Sequence, residues 1–391
     1  MSPAPEKSHH KVLIVAAEAS SSLYAQRLLE LWKSENKNVI AFGVGSRKME
    51  SLGFQIVGRS EELAVVGLQE VIAHWGLIKN TFYSLLERAQ KEKPDFALLL
   101  DYPDFNLRLA KKLKAQGIPV VYYISPQIWA WRQGRVKKMR AVIDKMLVLF
   151  PFEKKFYDEH HVSCDFVGHP LLDELHEDLL NSNAIRLRKQ KYGLDPESKV
   201  IALMPGSRSS EIKHHLEMQL AVAQKLYDKD SQRQFILIVA PTFDKEEFQK
   251  KLPPLNFPLQ LVQGESFEMI SLADVVLTAS GTATLIVGLM EKPMVIMYKM
   301  NPMTAFLAKR FVTHTKYFGM INLILNQMVV PEFFQEQASE ENLTRALERF
   351  LSNANLYHST QNLLKSAKTL LGECGATRKV NESLEEFWRK G

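Results

Sequence analysis

From residue 11 the chain alternates between two hydrophobic rhythms. Short apolar runs at 11–17 (KVLIVAA), 38–45, 95–101, 119–125 and 145–151 are β-rich and apolar on both faces. Between them lie longer stretches, such as 22–34 and 106–117, with the periodicity of amphipathic helices. Buried strands separated by helices predict a parallel sheet covered on both sides, the doubly wound α/β arrangement. The rhythm lapses over the charged and polar stretch 171–198. It restarts with strands predicted at 199–205, 234–241, 259–264, 274–280 and 292–298. Beyond about residue 337 only polar helical pattern remains. The expected organisation is two Rossmann-like halves, 1–175 and 176–365. A C-terminal helix over 366–391 is expected to pack back on the first half or on a second copy of the chain.

Composition adds little. At 391 residues, 46% of them hydrophobic, the chain is too long for one core and suits two domains. A net charge of +6 favours an anionic substrate or an anionic membrane surface, but alone it describes no more than a solvated basic surface. The two cysteines, Cys164 and Cys374, are far apart, with neither disulfide nor zinc spacing, which fits a reducing cytosol. The first ten residues, MSPAPEKSHH, lack the apolar core of a signal peptide, and no apolar run is long enough to cross a bilayer. Any membrane contact is therefore expected to be peripheral.

In such sheets ligands bind beyond the carboxyl ends of the strands, and two halves of this kind make a cleft. Four loops stand at those ends. In LMPGSRSSEIKHH (203–215), Pro205, Gly206 and Ser207 make a tight turn, and Ser209 or Ser210 is a candidate helix cap. Amides at the helix start attract an anion, and Arg208 suits phosphate; the other reading is a plain turn with a surface arginine. In LTASGTATLIVGLMEKP (277–293), Ser280, Gly281 and Thr282 could cradle a diphosphate or form an ordinary strand-to-helix turn. LLLDYPDFNLRLA (98–110) offers Asp101 and Asp104 as candidate general bases, or as a turn former and an N-cap. ISPQIWAWRQGRVKKMR (124–140) sets Trp129 and Trp131 beside Arg132 and Arg135. That mixture reads as core tryptophan with a basic helix face, as nucleic-acid contact, or as a small-molecule pocket. The sheet context argues for the pocket and against a nucleic-acid partner. His169 is read either as a cleft residue or as a turn and packing residue.

These stretches, in order along nearly the whole chain, resemble lipid-A-disaccharide synthase, a GT-B glycosyltransferase. The resemblance rests on EELAVVGLQEV (61–71), DYPDFN (101–106), SPQIWAWRQGRV (125–136), PFEKKFYDEHHV (151–162), FVGHPL (166–171), LMPGSR (203–208), ASGTATL (279–285) and VPEFFQ (330–335). It implies transfer of diacylglucosamine from its UDP-activated form to diacylglucosamine 1-phosphate, forming the β-1,6 disaccharide of lipid A with inversion. It implies no cofactor and no obligatory metal, a homodimer, and work at the cytoplasmic face of a Gram-negative inner membrane. Under it Asp104 is the base with Asp101 as alternate. Gly206, Ser207, Arg208, Ser280, Gly281 and Thr282 hold the nucleotide. Ser20, Trp129, Arg132, His169, Asn322 and Glu332 fall to the acceptor site or the cleft. Residues 74–86 read as an amphipathic membrane contact for the lipid substrates, or as a helix packed on the sheet.

Two positions depart from the family pattern. Its first loop usually reads Gly-Glu-x-Ser-Gly-Asp; here it is AEASSS (17–22), without glycine and without the last carboxylate. The glutamate that bonds the ribose hydroxyls after the Ser-Gly-Thr loop is replaced by Ile286. These losses keep two other readings open. One is another GT-B UDP-sugar enzyme, such as an epimerase; the other is a member that binds nucleotide or lipid without turnover.

Overall fold

A computed structural model describes residues 9–63, 75–131, 133–300 and 317–388. Seven strands form the first sheet: β1 (His10–Ala16), β2 (Val39–Gly45), β3 (Gln55–Arg59), β4 (Phe96–Leu100), β5 (Val120–Tyr123), β6 (Lys145–Val148) and β7 (Cys164–Phe166). Six form the second: β8 (Val200–Met204), β9 (Gln234–Ile238), β10 (Leu259–Val262), β11 (Val275–Ala279), β12 (Met294–Tyr298) and β13 (Glu332–Phe334). Every pairing is parallel. The sheet orders are β3-β2-β1-β4-β5-β6-β7 and β10-β9-β8-β11-β12-β13. This is the α/β architecture of two doubly wound sheets followed by C-terminal helices.

Unbroken apolar runs became the central strands because both of their faces are covered. All five residues of β4 and the last five of β1 have no exposed surface. Each fully buried aliphatic side chain contributes ~1.5–3 kcal/mol relative to exposure. β3, β7 and β13 carry no such run and are not predicted by the sequence pattern. They lie at the sheet edges, where fewer neighbours demand apolar side chains, and β3 is exposed or half-buried throughout.

The chain divides into two compact units, one of Met1–Pro170 with Glu373–Gly391, the other of Leu171–Gly372. In the first, the helix Ala376–Trp388 packs on the helix Ala19–Ser34. Trp32 Nε1 donates to Asn381 Oδ1 at 2.8 Å, and Lys145 pairs with Glu386 at 2.8 Å. The helix Trp75–Glu92 buries Thr81, Leu85 and Ala89, while Ile78, Phe82 and Leu86 meet the core from its margin. The packed-helix reading of 74–86 therefore holds for its inner face, and Trp75 and Tyr83 on it are exposed. His74 lies outside the described residues, as do 64–71 of the stretch that carried the resemblance. No helix among the described residues is long and apolar enough to cross a membrane.

Candidate active site

Each sheet reverses its winding once, between β1 and β4 in the first and between β8 and β11 in the second. Ligands in open α/β sheets bind outside the strand ends at such switch points. The loops there are 17–22 and 101–104 in the first unit, and 205–208 and 280–281 in the second. In the second unit topology thus pairs two loops that chemistry had singled out separately; in the first it sets the 98–110 loop beside 17–22, which entered only through the family pattern.

In the first unit the chain leaves β4 through two consecutive non-glycine residues in the left-handed region, Asp101 (φ 48°) and Tyr102 (φ 46°). Ile124, at the end of neighbouring β5, is a third (φ 68°). Such residues carry strain of about 1–3 kcal/mol each and cluster at functional sites. The turn ends in a helix, Pro103–Ala115, whose N-cap is Tyr102 and whose first residue is proline. Asp104 is therefore inside the first turn and is not the N-cap. Its side chain is 77% exposed and lies 3.3 Å from the Arg135 guanidinium.

The first loop has lost its glycines without backbone strain, since none of residues 17–22 has a positive φ. Ser21 is buried; its hydroxyl accepts from the Glu18 N–H at 3.0 Å and donates to the Glu18 carbonyl at 2.9 Å. Ser22, also buried, donates to the Ala16 carbonyl at 2.9 Å. Both serines thus serve the turn itself. Ser20 in the same turn is exposed.

Beyond β5 and β6 lies an aromatic cluster. Trp129 meets Phe152 edge-on at 4.9 Å, Phe152 stacks on Phe150 at 5.3 Å, and Phe150 lies 5.4 Å from His169. Beneath it the Glu153 carboxylate accepts from Trp129 Nε1 at 3.3 Å and from the Leu149 and Phe150 amides at 3.3 and 3.2 Å. Burial pushes the Glu153 carboxyl up to about 8, against the pull of these donors. Burial lowers His169 to about 3, so its ring is neutral. Trp129 is half-buried and His169 buried. Arg132 lies outside the described residues.

In the second unit, Gly206 has φ +130°, and a Cβ there would come within 2.5 Å of both Glu211 Cβ and Oε2. Only glycine fits. The next helix, Ser209–Lys229, has Arg208 as its N-cap. Ser209 and Ser210 are inside the first turn and do not cap it. Glu211 braces the turn that precedes the helix. Its Oε2 accepts from the Ser207 amide at 2.8 Å, and its Oε1 lies 3.5 Å from Arg208 Nη1. A carboxylate thus already bonds this amide and faces this cation. Buried His215 ties this loop to the one after β12. With hydrogen on Nδ1 it donates to the Pro205 carbonyl at 2.9 Å and accepts at Nε2 from the Lys299 amide at 3.0 Å. Burial lowers its pKa, which favours that neutral form.

Beside this, Gly281 and Thr282 are exposed at the start of the helix Thr282–Leu289, and Ser280 donates to the Phe318 carbonyl at 3.0 Å. Glu332 accepts from the Phe318 and Gly319 amides at 2.6 and 3.0 Å and from Asn322 Nδ2 at 2.7 Å. Asn322 is fully buried and also accepts from the Val329 and Val330 amides. These two residues hold the loop that Ser280 touches. Half-buried Ile286, on the helix behind, has no side-chain group that could bond a ribose hydroxyl. Among the described residues no three His, Cys, Asp or Glu side chains gather to hold a metal.

The Lipid-A-disaccharide synthetase family profile matches residues 12–386. The chain belongs to that family. It is 35% identical to the lipid-A-disaccharide synthase of Syntrophotalea carbinolica over 98% of this chain and 97% of that one. It is 36% identical to the synthase of Geobacter sulfurreducens over 96% of each. Among solved structures it resembles the UDP-GlcNAc 2-epimerase of Neisseria meningitidis bound to UDP-GlcNAc (TM-score 0.62, 13% identity, 97% of this chain and 99% of that one). It also resembles the S. aureus MnaA–UDP structure (TM-score 0.65, 12% identity, 97% of each). At such identities the latter two attest the fold, GT-B. As a lipid-A-disaccharide synthase family member, the protein is a hexosyltransferase that forms the lipid A disaccharide.

Sequence reasoning passed over Asn106, Tyr122, Glu153, Glu211 and His215. Two of them carried readable signals: Asn106 closes the DYPDFN stretch, and Glu211 stands three residues after the helix N-cap, the spacing of a capping box.

Proposed function

We propose that the protein transfers 2,3-diacylglucosamine from UDP to the 6-hydroxyl of 2,3-diacylglucosamine 1-phosphate with inversion, using Asp104 as general base. The acceptor oxygen bonds to the anomeric carbon as its proton passes to the Asp104 carboxylate. The bond from that carbon to the diphosphate oxygen breaks, and the electron pair leaves with UDP. Asp101 is the alternate base. Arg208, with the amides of 206–208 and of 280–282, stabilises the charge that develops on the leaving diphosphate. Trp129, Arg132, His169 and Ser20 shape the acceptor side, and Asn322 and Glu332 support the cleft by holding the loop that Ser280 touches. The observation that supports this reading best is the exposed Asp104 carboxylate on the first turn beyond β4, at the winding switch of its sheet.

The protein works as a homodimer bound peripherally at the cytoplasmic face of the inner membrane of a Gram-negative bacterium. Exposed Trp75 and Tyr83 and the net charge of +6 support that attachment. The deciding experiment incubates purified protein with the UDP-activated diacylglucosamine and the monosaccharide phosphate. Formation of UDP and a β-1,6-linked disaccharide is expected. UDP binding without disaccharide would identify a non-catalytic member, and a product epimerised on the sugar would identify an epimerase.

A further inference from the structure

The left-handed turn after β4 is held from beneath by two buried side chains. The Asp101 carbonyl accepts from Tyr122 Oη at 2.5 Å and from Asn106 Nδ2 at 2.7 Å, and Asn106 Nδ2 also donates to the Leu100 carbonyl at 3.1 Å. Tyr122 and Asn106 have no exposed surface. Among the described residues Asn106 Oδ1, also buried, meets no hydrogen-bond donor. The amide nitrogen, which serves two main-chain carbonyls, is the part of the side chain that the turn uses. Burial holds the Tyr122 phenol well above the usual tyrosine range, so its hydroxyl remains a donor at any working pH. Immediately beyond the clamped carbonyl come Tyr102, Pro103 and then Asp104.

We propose that Asn106 and Tyr122 are positioning residues for glycosyl transfer: by donating to the Asp101 carbonyl they lock the strained turn and fix the direction in which the helix start presents the Asp104 carboxylate. This rests on the reading of Asp104 as general base. A misplacement of about 1 Å in a reacting group lowers rate as much as ~100-fold, so loosening one of two clamps is a catalytic lesion as well as a structural one.

Tyr122→Phe keeps the ring and removes the donor. In the full-length protein, at a temperature where circular dichroism shows it folded, kcat should fall by roughly tenfold to a hundredfold. KM for both substrates and the Kd for UDP should stay within about twofold. Asn106→Ser supplies a second arm with the same expected split. The decisive readout is a double-mutant cycle with Asp104→Asn, in which Tyr122→Phe should have almost no further effect on residual turnover. Equal factors in both backgrounds would overturn the inference, because the clamp would then not act through Asp104. So would a folded Tyr122→Phe protein with normal kcat beside an inactive Asp104→Asn protein. Near-normal turnover by Asp104→Asn would instead overturn the assignment of the base, and the clamp's role with it.

Discussion

The loop after β4 in the first unit and the loop after β8 in the second solve the same geometric problem in opposite ways. Both leave a central parallel strand through a residue of positive φ and enter a helix. The second does so with Gly206, where a side chain would collide with Glu211. The first does so with Asp101 and Tyr102, whose strain is borne by hydrogen bonds from Asn106 and Tyr122. Under the proposed roles the difference follows from what each loop would offer. A loop that holds a diphosphate on its backbone gains from having no side chain at the turn. A loop that presents a carboxylate as base needs side chains and a rigid base beneath them.

The largest effect that would break this contrast is at Asp104. Asp104→Asn should lower kcat by at least about a hundredfold, the lower range for a lost general base. UDP affinity, measured by calorimetry, should hardly change; a mutant of near-normal rate would remove the delivering role from the first loop. In the second unit, Arg208→Ala should weaken UDP binding by about 1.5–3 kcal/mol, the range for hydrogen bonds to charged groups. Unchanged affinity would put the diphosphate elsewhere. Gly206→Ala should reduce unfolding free energy by about 1–3 kcal/mol through backbone strain and also impair UDP binding. Denaturant melts that match the parent protein would mean the loop does not depend on glycine. The smallest effect is expected at Glu211, whose carboxylate holds the Ser207 amide and lies beside the Arg208 cation, and under the proposed function would compete there with the diphosphate. Glu211→Gln should tighten UDP by a few tenths to about 1 kcal/mol, as for a single partly exposed charge. Weaker binding would show that this carboxylate shapes the loop for the nucleotide and does not compete with it.

Much of the architecture was legible in the chain. The ten predicted strands are all present: nine lie inside a parallel sheet, which leaves an unbroken apolar run in the sequence, and β10, at an edge, still buries Leu261 and Val262. The glycine and proline of 203–208 likewise announced a turn whose φ at Gly206 only glycine adopts freely. The capping assignments at Ser209, Ser210 and Asp104 were misplaced by one or two residues. Where a helix begins depends on backbone dihedrals that the preceding turn sets: Arg208 is extended and Tyr102 left-handed, so each is the last residue outside its helix.

What the sequence determined by itself was therefore the period, the order of strands and helices, and the residue types at their carboxyl ends. Tertiary structure alone decided which ends are neighbours: residues 17–95 separate β1 from β4, yet the two strands pair at the winding switch. It also decided which polar groups are partners. Tyr122 reads in the sequence as one more aromatic in an apolar strand, and Asn106 as one more polar helical residue. Their meaning comes from pointing at one carbonyl, that of Asp101, across a contact between different elements. Periodicity records which face a side chain occupies and carries no information about the atom waiting there.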